Sequence, residues 1–311
     1  MRYLGLDLGG TNIKGVVVEV GGDGPPVELT RGSAPTHGSA GPAAVTDRVV
    51  ALGRQLAGGC GGVAGVGLGV PGLFAPATGV VEGFANLPGP WPGFPLRDRL
   101  AAGLGVPAVI MNDARAFTLA EGRMGAGRGC ATLVGITLGT GVGGGVLIDG
   151  RLHLGHWGIG GEIGHALVED GDDAALCGCG ARGCLEAYLR ADVLSAQAGR
   201  ADAEEVYAGA REGDPACVAA VARACRHLSA AIASLVNVLG PERVVIGGGV
   251  AAAGESLLAP LRSAVHRRLR LVPGRDVEIV PAVLGAMAGA MGAAVASADA
   301  AAEGAEERAL A

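Results

Sequence analysis

Lysine is almost missing from this 311-residue sequence: Lys14 is the only one, and arginine carries the remaining positive charge. Aromatic residues make up only 3%, so any core must be built from Ala, Val, Leu and Ile, within an apolar fraction of 50%. The net charge of -6 lacks the basic excess of a nucleic-acid binder. The one cationic segment, residues 262–270, reads as a solvated helix face. No apolar leader with a cleavage site opens the chain, so a cytoplasmic protein without a signal peptide is expected. Long uncharged stretches occur at 55–81, 129–148 and 279–298, but all are crowded with glycine and two contain proline. They read as buried strands and close-packed helices rather than membrane spans. Seven cysteines, an odd number, argue against a disulfide framework. No Gly-Lys-Ser/Thr occurs, which excludes a P-loop.

Glycine, in contrast, is abundant, and it punctuates a βα alternation. Residues 3–8 read as a strand, 9–12 as a turn and 13–20 as a second strand. A helix over 47–56, a strand over 63–70, a short helix over 96–102 and a strand over 108–111 follow. A second round has strands at 131–137 and 146–148, a helix over 185–198, and a long helix capped by Asp214 with Pro215 at its first position, ending at Gly240-Pro241. A strand at 244–246 and a small-residue helix over 282–298 complete the pattern, and 300–311 reads as a helix end or tail. The length and the alternation predict two α/β lobes. Residues 1–112 plus 286–311 are expected to form the smaller, and 113–285 the larger. Ligands in such folds bind at the carboxyl ends of strands, between the halves.

Three glycine turns follow apolar strands. In Asp7-Leu8-Gly9-Gly10-Thr11-Asn12 the glycines let backbone N–H groups approach a polyphosphate. Thr11 and Asn12 add hydrogen bonds, Asp7 can hold Mg²⁺, and Lys14 places the single ammonium nearby. Gly139-Thr140-Gly141-Val142-Gly143-Gly144-Gly145 formally contains G-x-G-x-x-G, but strand rather than helix follows it, against a dinucleotide fingerprint. Gly247-Gly248-Gly249 allows a flat base to approach the backbone. Cys177-Gly178-Cys179-Gly180-Ala181-Arg182-Gly183-Cys184 points to metal or redox chemistry. Asn112-Asp113 sits between a strand and a helix, where Asp113 reads either as a helix cap or as a catalytic carboxylate.

Together these motifs resemble the ROK family of bacterial sugar kinases and repressors. The most specific are Gly161-Glu162-Ile163-Gly164-His165 and Cys177–Glu186. The resemblance implies a two-lobed actin-like ATPase fold with a zinc-stapled loop. It implies phosphorylation of a hexose 6-hydroxyl by ATP with Mg²⁺, glucose foremost, with N-acetylglucosamine, N-acetylmannosamine, fructose or allose as alternatives. Asp113 becomes the base; Asn86, Asn112, Glu162, His165 and Glu186 bind sugar hydroxyls. Asp7, Gly9, Gly10, Thr11, Asn12, Lys14, Thr140, Gly141, Gly247, Gly248 and Gly249 hold the nucleotide. His165, Cys177, Cys179 and Cys184 ligate zinc. Arg115 stands where the family has a second Asn, which touches the choice of sugar. ROK repressors carry a helix-turn-helix ahead of the first phosphate turn, and here that turn begins at Asp7, so an enzyme is expected. A homodimer or homotetramer, without nucleic acid or membrane partners, completes the expectation.

Overall fold

A computed structural model describes residues 1–21, 24–84, 87–249, 253–271 and 277–310. Asn86, expected to meet a sugar hydroxyl, lies outside them. The chain forms two compact units: Met1–Met124 with Ala286–Ala311, and Gly125–Gly285. The helix after Asn112 thus belongs with the first unit.

The first unit has a five-stranded sheet in the order β3-β2-β1-β4-β7. β1 (Arg2–Leu8) pairs antiparallel with β2 (Asn12–Glu19), and β2 with β3 (Val27–Pro35). β4 (Val66–Val70) and β7 (Ala108–Asn112) run parallel to β1. The central strands β1 and β4 are almost wholly buried, as their unbroken apolar runs require. A small hairpin, β5 (Gly72–Ala75) with β6 (Val80–Phe84), leads toward α2 (Leu96–Leu104). α1 (Pro42–Gly59) covers β1–β3, with Val45, Val49 and Leu52 buried in one apolar cluster with Leu4 and Leu6. The terminal helix α9 (Ala288–Leu310) packs on β1, β4 and α3 (Asp113–Met124). Its small residues have a purpose there: a Cβ on Gly67 of β4 would overlap the carbonyl of Ala293, so only glycine admits the helix.

The second unit repeats the strand arrangement in the order β10-β9-β8-β11-β12. β8 (Leu133–Leu138) pairs antiparallel with β9 (Val142–Ile148), and β10 (Arg151–Leu152) continues that meander. β11 (Arg243–Gly247) and β12 (Glu278–Pro281) add in parallel. Glycine turns at 9–11 and 139–141 therefore occupy equivalent places in the two sheets. The expected helix over 185–198 is two helices, α4 (Glu186–Leu189) and α5 (Ala191–Ala198), with Arg190 extended between them. The break arises because Ala191 N–H donates to Gly139 O (2.9 Å) instead of to a carbonyl of its own helix. α6 (Ala203–Glu212), not anticipated, is capped by Asp202 accepting from Glu205 N–H. α7 (Pro215–Leu239) is capped by Asp214 as expected. By length and composition it could cross a membrane, but Val221, Leu228 and Ile232 are buried in the unit's core. α8 (Glu255–Arg268) carries the cationic segment, and its arginines are spread along an exposed face, Arg262 paired with Glu255. The small-residue helix begins at Ala288, later than expected, because 278–281 is strand and Gly285–Met287 forms a 3-10 turn.

Candidate functional site

In the first unit the parallel register of β1, β4 and β7 sets Asp7 beside Gly69, and Val70 beside Asn112. The carboxyl ends of the strands thus gather Asp7, Asn112 and Asp113. A Cβ on Gly69 would lie 3.4 Å from Asp7 Oδ1 and 3.7 Å from Asp113 Cα, so both acids approach the same glycine. Burial pushes the Asp7 carboxyl above its usual range, while Lys14, its partner across β1–β2, pulls it down. The carboxylate also lies against Gly289 at the start of α9.

The turn after β1 closes through Gly9 N–H donating to Asn12 O (3.1 Å). Thr36, fully buried, clamps it: its hydroxyl donates to Gly9 O (2.7 Å), and its N–H to Thr11 O (2.9 Å). Gly10, Thr11 and Asn12 are exposed on this clamped turn. His37, next in sequence, is one of two described non-glycine residues with a left-handed backbone, at φ 47°.

The helix α3 is capped chiefly by Asn112, whose Oδ1 accepts from Ala114 N–H (3.0 Å) and Arg115 N–H (3.3 Å). Asp113 Oδ1 accepts from Ala114 N–H at 2.8 Å. Capping is therefore shared, with Asn112 reaching the deeper donor. Arg115 is buried, with 6% of its surface exposed. Trp91 is buried between Phe84 and Phe94, at ring-centroid distances of 4.7 and 5.8 Å.

In the second unit Gly139 N–H donates to Gly141 O (3.0 Å), closing the second turn, with Thr140 exposed at its tip. Glu186 braces it, Oε2 accepting from Val142 N–H at 2.9 Å. At the end of β11, Gly248 has φ 88°, and a Cβ there would overlap the carbonyl of Leu138, so glycine is required on both counts.

The 3-10 turn Ile163–His165 presents His165, with Glu162 immediately before it. The chain between 174 and 185 folds as a tight hairpin: Cys177 N–H donates to Ala181 O (2.8 Å) and Gly180 N–H to Cys177 O (3.0 Å). The ligating atoms of His165, Cys177, Cys179 and Cys184 all lie within 4.8 Å of one another. Cys179 Sγ and Cys184 Sγ are 3.7 Å apart, as are Cys177 Sγ and His165 Nδ1. A tetrahedron with metal–sulfur bonds of about 2.3 Å and metal–nitrogen bonds of about 2.0 Å has edges of about 3.8 and 3.5 Å. The two pairs match these edges, and the set as a whole, within 4.8 Å, is close enough to hold one tetrahedral metal ion after small adjustments. Burial raises the Cys177 thiol and pushes Cys184 up to about 12, while the Ala181 N–H lowers Cys179. Buried thiols without a cation hold their protons; a bound cation supplies the charge that ionises them.

Behind this hairpin lies a brace that the motifs do not signal. His227, buried on α7, meets Glu169 (Nε2–Oε1 2.7 Å), and Tyr188 stacks on its ring at 4.2 Å. Tyr188 Oη accepts from Ala175 N–H (2.9 Å), tying the cysteine hairpin to α7. The hydrogen bond with His227, and then that from Tyr188, hold Glu169 below the usual carboxylate range.

Each unit therefore carries a glycine turn held in place by hydrogen bonds. The first adds two carboxylates at strand ends; the second adds acids beside a metal-binding set. Comparison with known proteins shows the family to which the chain belongs. The model of the ROK family matches residues 3–299. A glucokinase of Halalkalibacterium halodurans is 35% identical over 283 residues, covering 84% of each chain. The crystal structure of a ROK hexokinase from Thermus thermophilus superposes with a TM-score of 0.87 at 35% identity, covering 97% of this chain and 100% of that one. A ROK family glucokinase from Streptomyces griseus, in complex with glucose and AMPPNP, gives 0.78 at 31% identity, covering 96% and 100%.

Proposed function

This chain belongs to the ROK family, and on that premise we propose that it is an ATP-dependent hexose kinase whose substrate is glucose, phosphorylated at the 6-hydroxyl. Its fold is that of the actin-like ATPase sugar kinases. The observation that carries the reading is the approach of Asp7, at the carboxyl end of β1, and Asp113, just after β7, to Gly69 of the strand β4 that lies between them, in a chain similar over nearly its full length to a glucokinase that holds glucose and AMPPNP.

Phosphoryl transfer asks a protein mainly for positioning and charge neutralisation. Asp113 accepts the proton of the 6-hydroxyl and aims its oxygen at the γ-phosphorus. Because proton transfer comes late in a loose transition state, a carboxylate suffices as the acceptor. The turns at 9–12 and 140–141 hold the phosphates with backbone N–H groups, Lys14 adds charge, and 247–249 receive the base. Asp7 would hold Mg²⁺, which when bound neutralises charge on the transferring group. Asn86 and Asn112 bind hydroxyls at one end of the sugar, and Glu162, His165 and Glu186 those at the other. His165, Cys177, Cys179 and Cys184 would hold zinc, the ion that three thiolates and an imidazole favour; its service there is structural. His165 Nδ1 faces the cysteines, so Nε2 is the nitrogen offered to the sugar. Cytoplasmic residence and a homo-oligomer, dimer or tetramer, belong to the same proposal.

A panel of hexoses with purified protein, ATP and Mg²⁺, followed by ADP release, tests it. Glucose is expected to give the highest kcat/KM. A higher value for N-acetylmannosamine, N-acetylglucosamine, fructose or allose would move the substrate but keep the reaction; no turnover on any hexose would defeat the reading.

A further inference from the structure

We infer that Glu186 is a positioning residue for the second phosphate turn, and that through it the metal loop sets the affinity for the nucleotide. The inference rests on the kinase reading above. Glu186 opens α4 two residues after Cys184, so its backbone is placed by the metal-binding hairpin. Its Oε2 accepts from the N–H of Val142, the residue that follows the turn. A Cβ on Gly141 would lie 2.7 Å from the same oxygen, so the carboxylate lies flat against the turn itself. Its Oε1 is 3.8 Å from Cys177 Sγ, which keeps the other face of the group against the metal set. Further along, Ala191 N–H donates to Gly139 O, so the same segment fastens the opposite end of the turn.

A carboxylate does not attract phosphate, so its service at this turn is mechanical. It fixes the direction of Val142 N–H and the path of residues 139–141, whose backbone would face the ligand. When the metal is absent, Cys177, Cys179, Cys184 and His165 lose their common partner. The segment carrying Glu186 and Ala191 is then tied down less firmly, and the turn with it. Nucleotide affinity therefore reports on metal occupancy even when no sugar is present.

The test is calorimetric titration of the full-length, zinc-loaded protein with the β,γ-imido analogue of ATP and Mg²⁺, without sugar. Glu186→Ala is expected to weaken binding about tenfold, the scale of a hydrogen bond to a charged acceptor. Glu186→Gln keeps an acceptor oxygen and stays within about threefold of wild type. Glu186→Asp, which withdraws the oxygen by one methylene, weakens binding as Ala does and replaces it should Ala fail to fold. Removing zinc from wild type lowers affinity at least to the level of Glu186→Ala, and removing it from that variant adds only a smaller loss, since the Ala191 tether to Gly139 is all that remains to be loosened. Wild-type affinity in the Ala or Asp variant, or equal losses in Ala and Gln, would overturn the inference, as would a zinc-removal loss in Glu186→Ala as large as in wild type. If the depleted chain unfolds, the zinc-loaded variants decide alone. A wild-type protein that binds no nucleotide would defeat the kinase reading and this inference together; binding unaffected by Glu186 would defeat only this one.

Discussion

Gly289, the second residue of α9, faces the Asp7 carboxylate, and replacing it separates site geometry from stability. A Cβ there would stand 2.9 Å from Asp7 Cγ, 3.0 Å from Oδ2 and 3.2 Å from Oδ1. Ordinary contact begins near 3.4 Å, so in Gly289→Ala the carboxyl must retreat by about 0.5 Å. The obstacle is the end of a side chain with two rotatable bonds, and it can give way. Alanine meanwhile favours the helix by about 0.5–1 kcal/mol over glycine. The variant should therefore melt within about 3 °C of wild type, the shift that roughly 1 kcal/mol produces in a domain of this size. Its activity should suffer more. A misplacement of about 1 Å can cost about 10²-fold, so half that displacement at the proposed Mg²⁺ ligand should lower kcat/KM about tenfold and raise the Mg²⁺ requirement. Gly292→Ala, three residues on in the same helix, is the control. There the Cβ would overlap the carbonyl of Ala116, a backbone atom of α3 that cannot rotate away. Overpacking of that kind costs about 1–3 kcal/mol, so Gly292→Ala should show as a lower melting temperature. The assay is ADP release over a Mg²⁺ titration, with scanning calorimetry on both variants. A Gly289→Ala enzyme within twofold of wild type at limiting Mg²⁺, or one that loses as much stability as Gly292→Ala, would refute the reasoning.

Asp113→Asn keeps the shape of the side chain and an acceptor for Ala114 N–H but cannot take a proton; kcat should fall on the order of 10²-fold or more, with the melting temperature unchanged. Wild-type turnover in that variant would remove Asp113 from the role of base. Asp7→Asn should raise the melting temperature of the ligand-free protein at neutral pH. Burial holds the Asp7 carboxyl above its unfolded value, so the folded chain keeps a proton that the unfolded chain releases, and stability falls as pH rises through that window. The gain should vanish below both values, and an Asn variant no more stable than wild type at neutral pH would contradict the burial argument.

What the sequence revealed was local. A turn such as Gly9–Asn12 declares itself because strand, glycines and hydrogen-bonding residues are contiguous, and the structure forms the expected hairpin around it. Cys177, Cys179 and Cys184 lie within one hairpin, and only His165 had to be brought from a separate segment. The expected cap of α7 at Asp214 holds for the same reason: side chain and N–H are three residues apart. Thr36, which clamps the first turn, and Gly289, which makes room for Asp7, carry no such mark. Each meets its partner only after the sheet has assembled, and a buried threonine or a helical glycine looks the same wherever it stands. The break at Arg190 was hidden for a related reason. No proline or glycine interrupts 185–198, and intrinsic preference favours one helix, yet a single tertiary hydrogen bond from Ala191 to Gly139 diverts an N–H that a continuous helix would use. That bond belongs to the set that fastens the glycine turn at 139–141. Local preference was thus overruled at a place where backbone hydrogen bonding holds the glycine turn rather than the helix, and helix propensities of a few tenths of a kcal/mol per residue are too small to resist it.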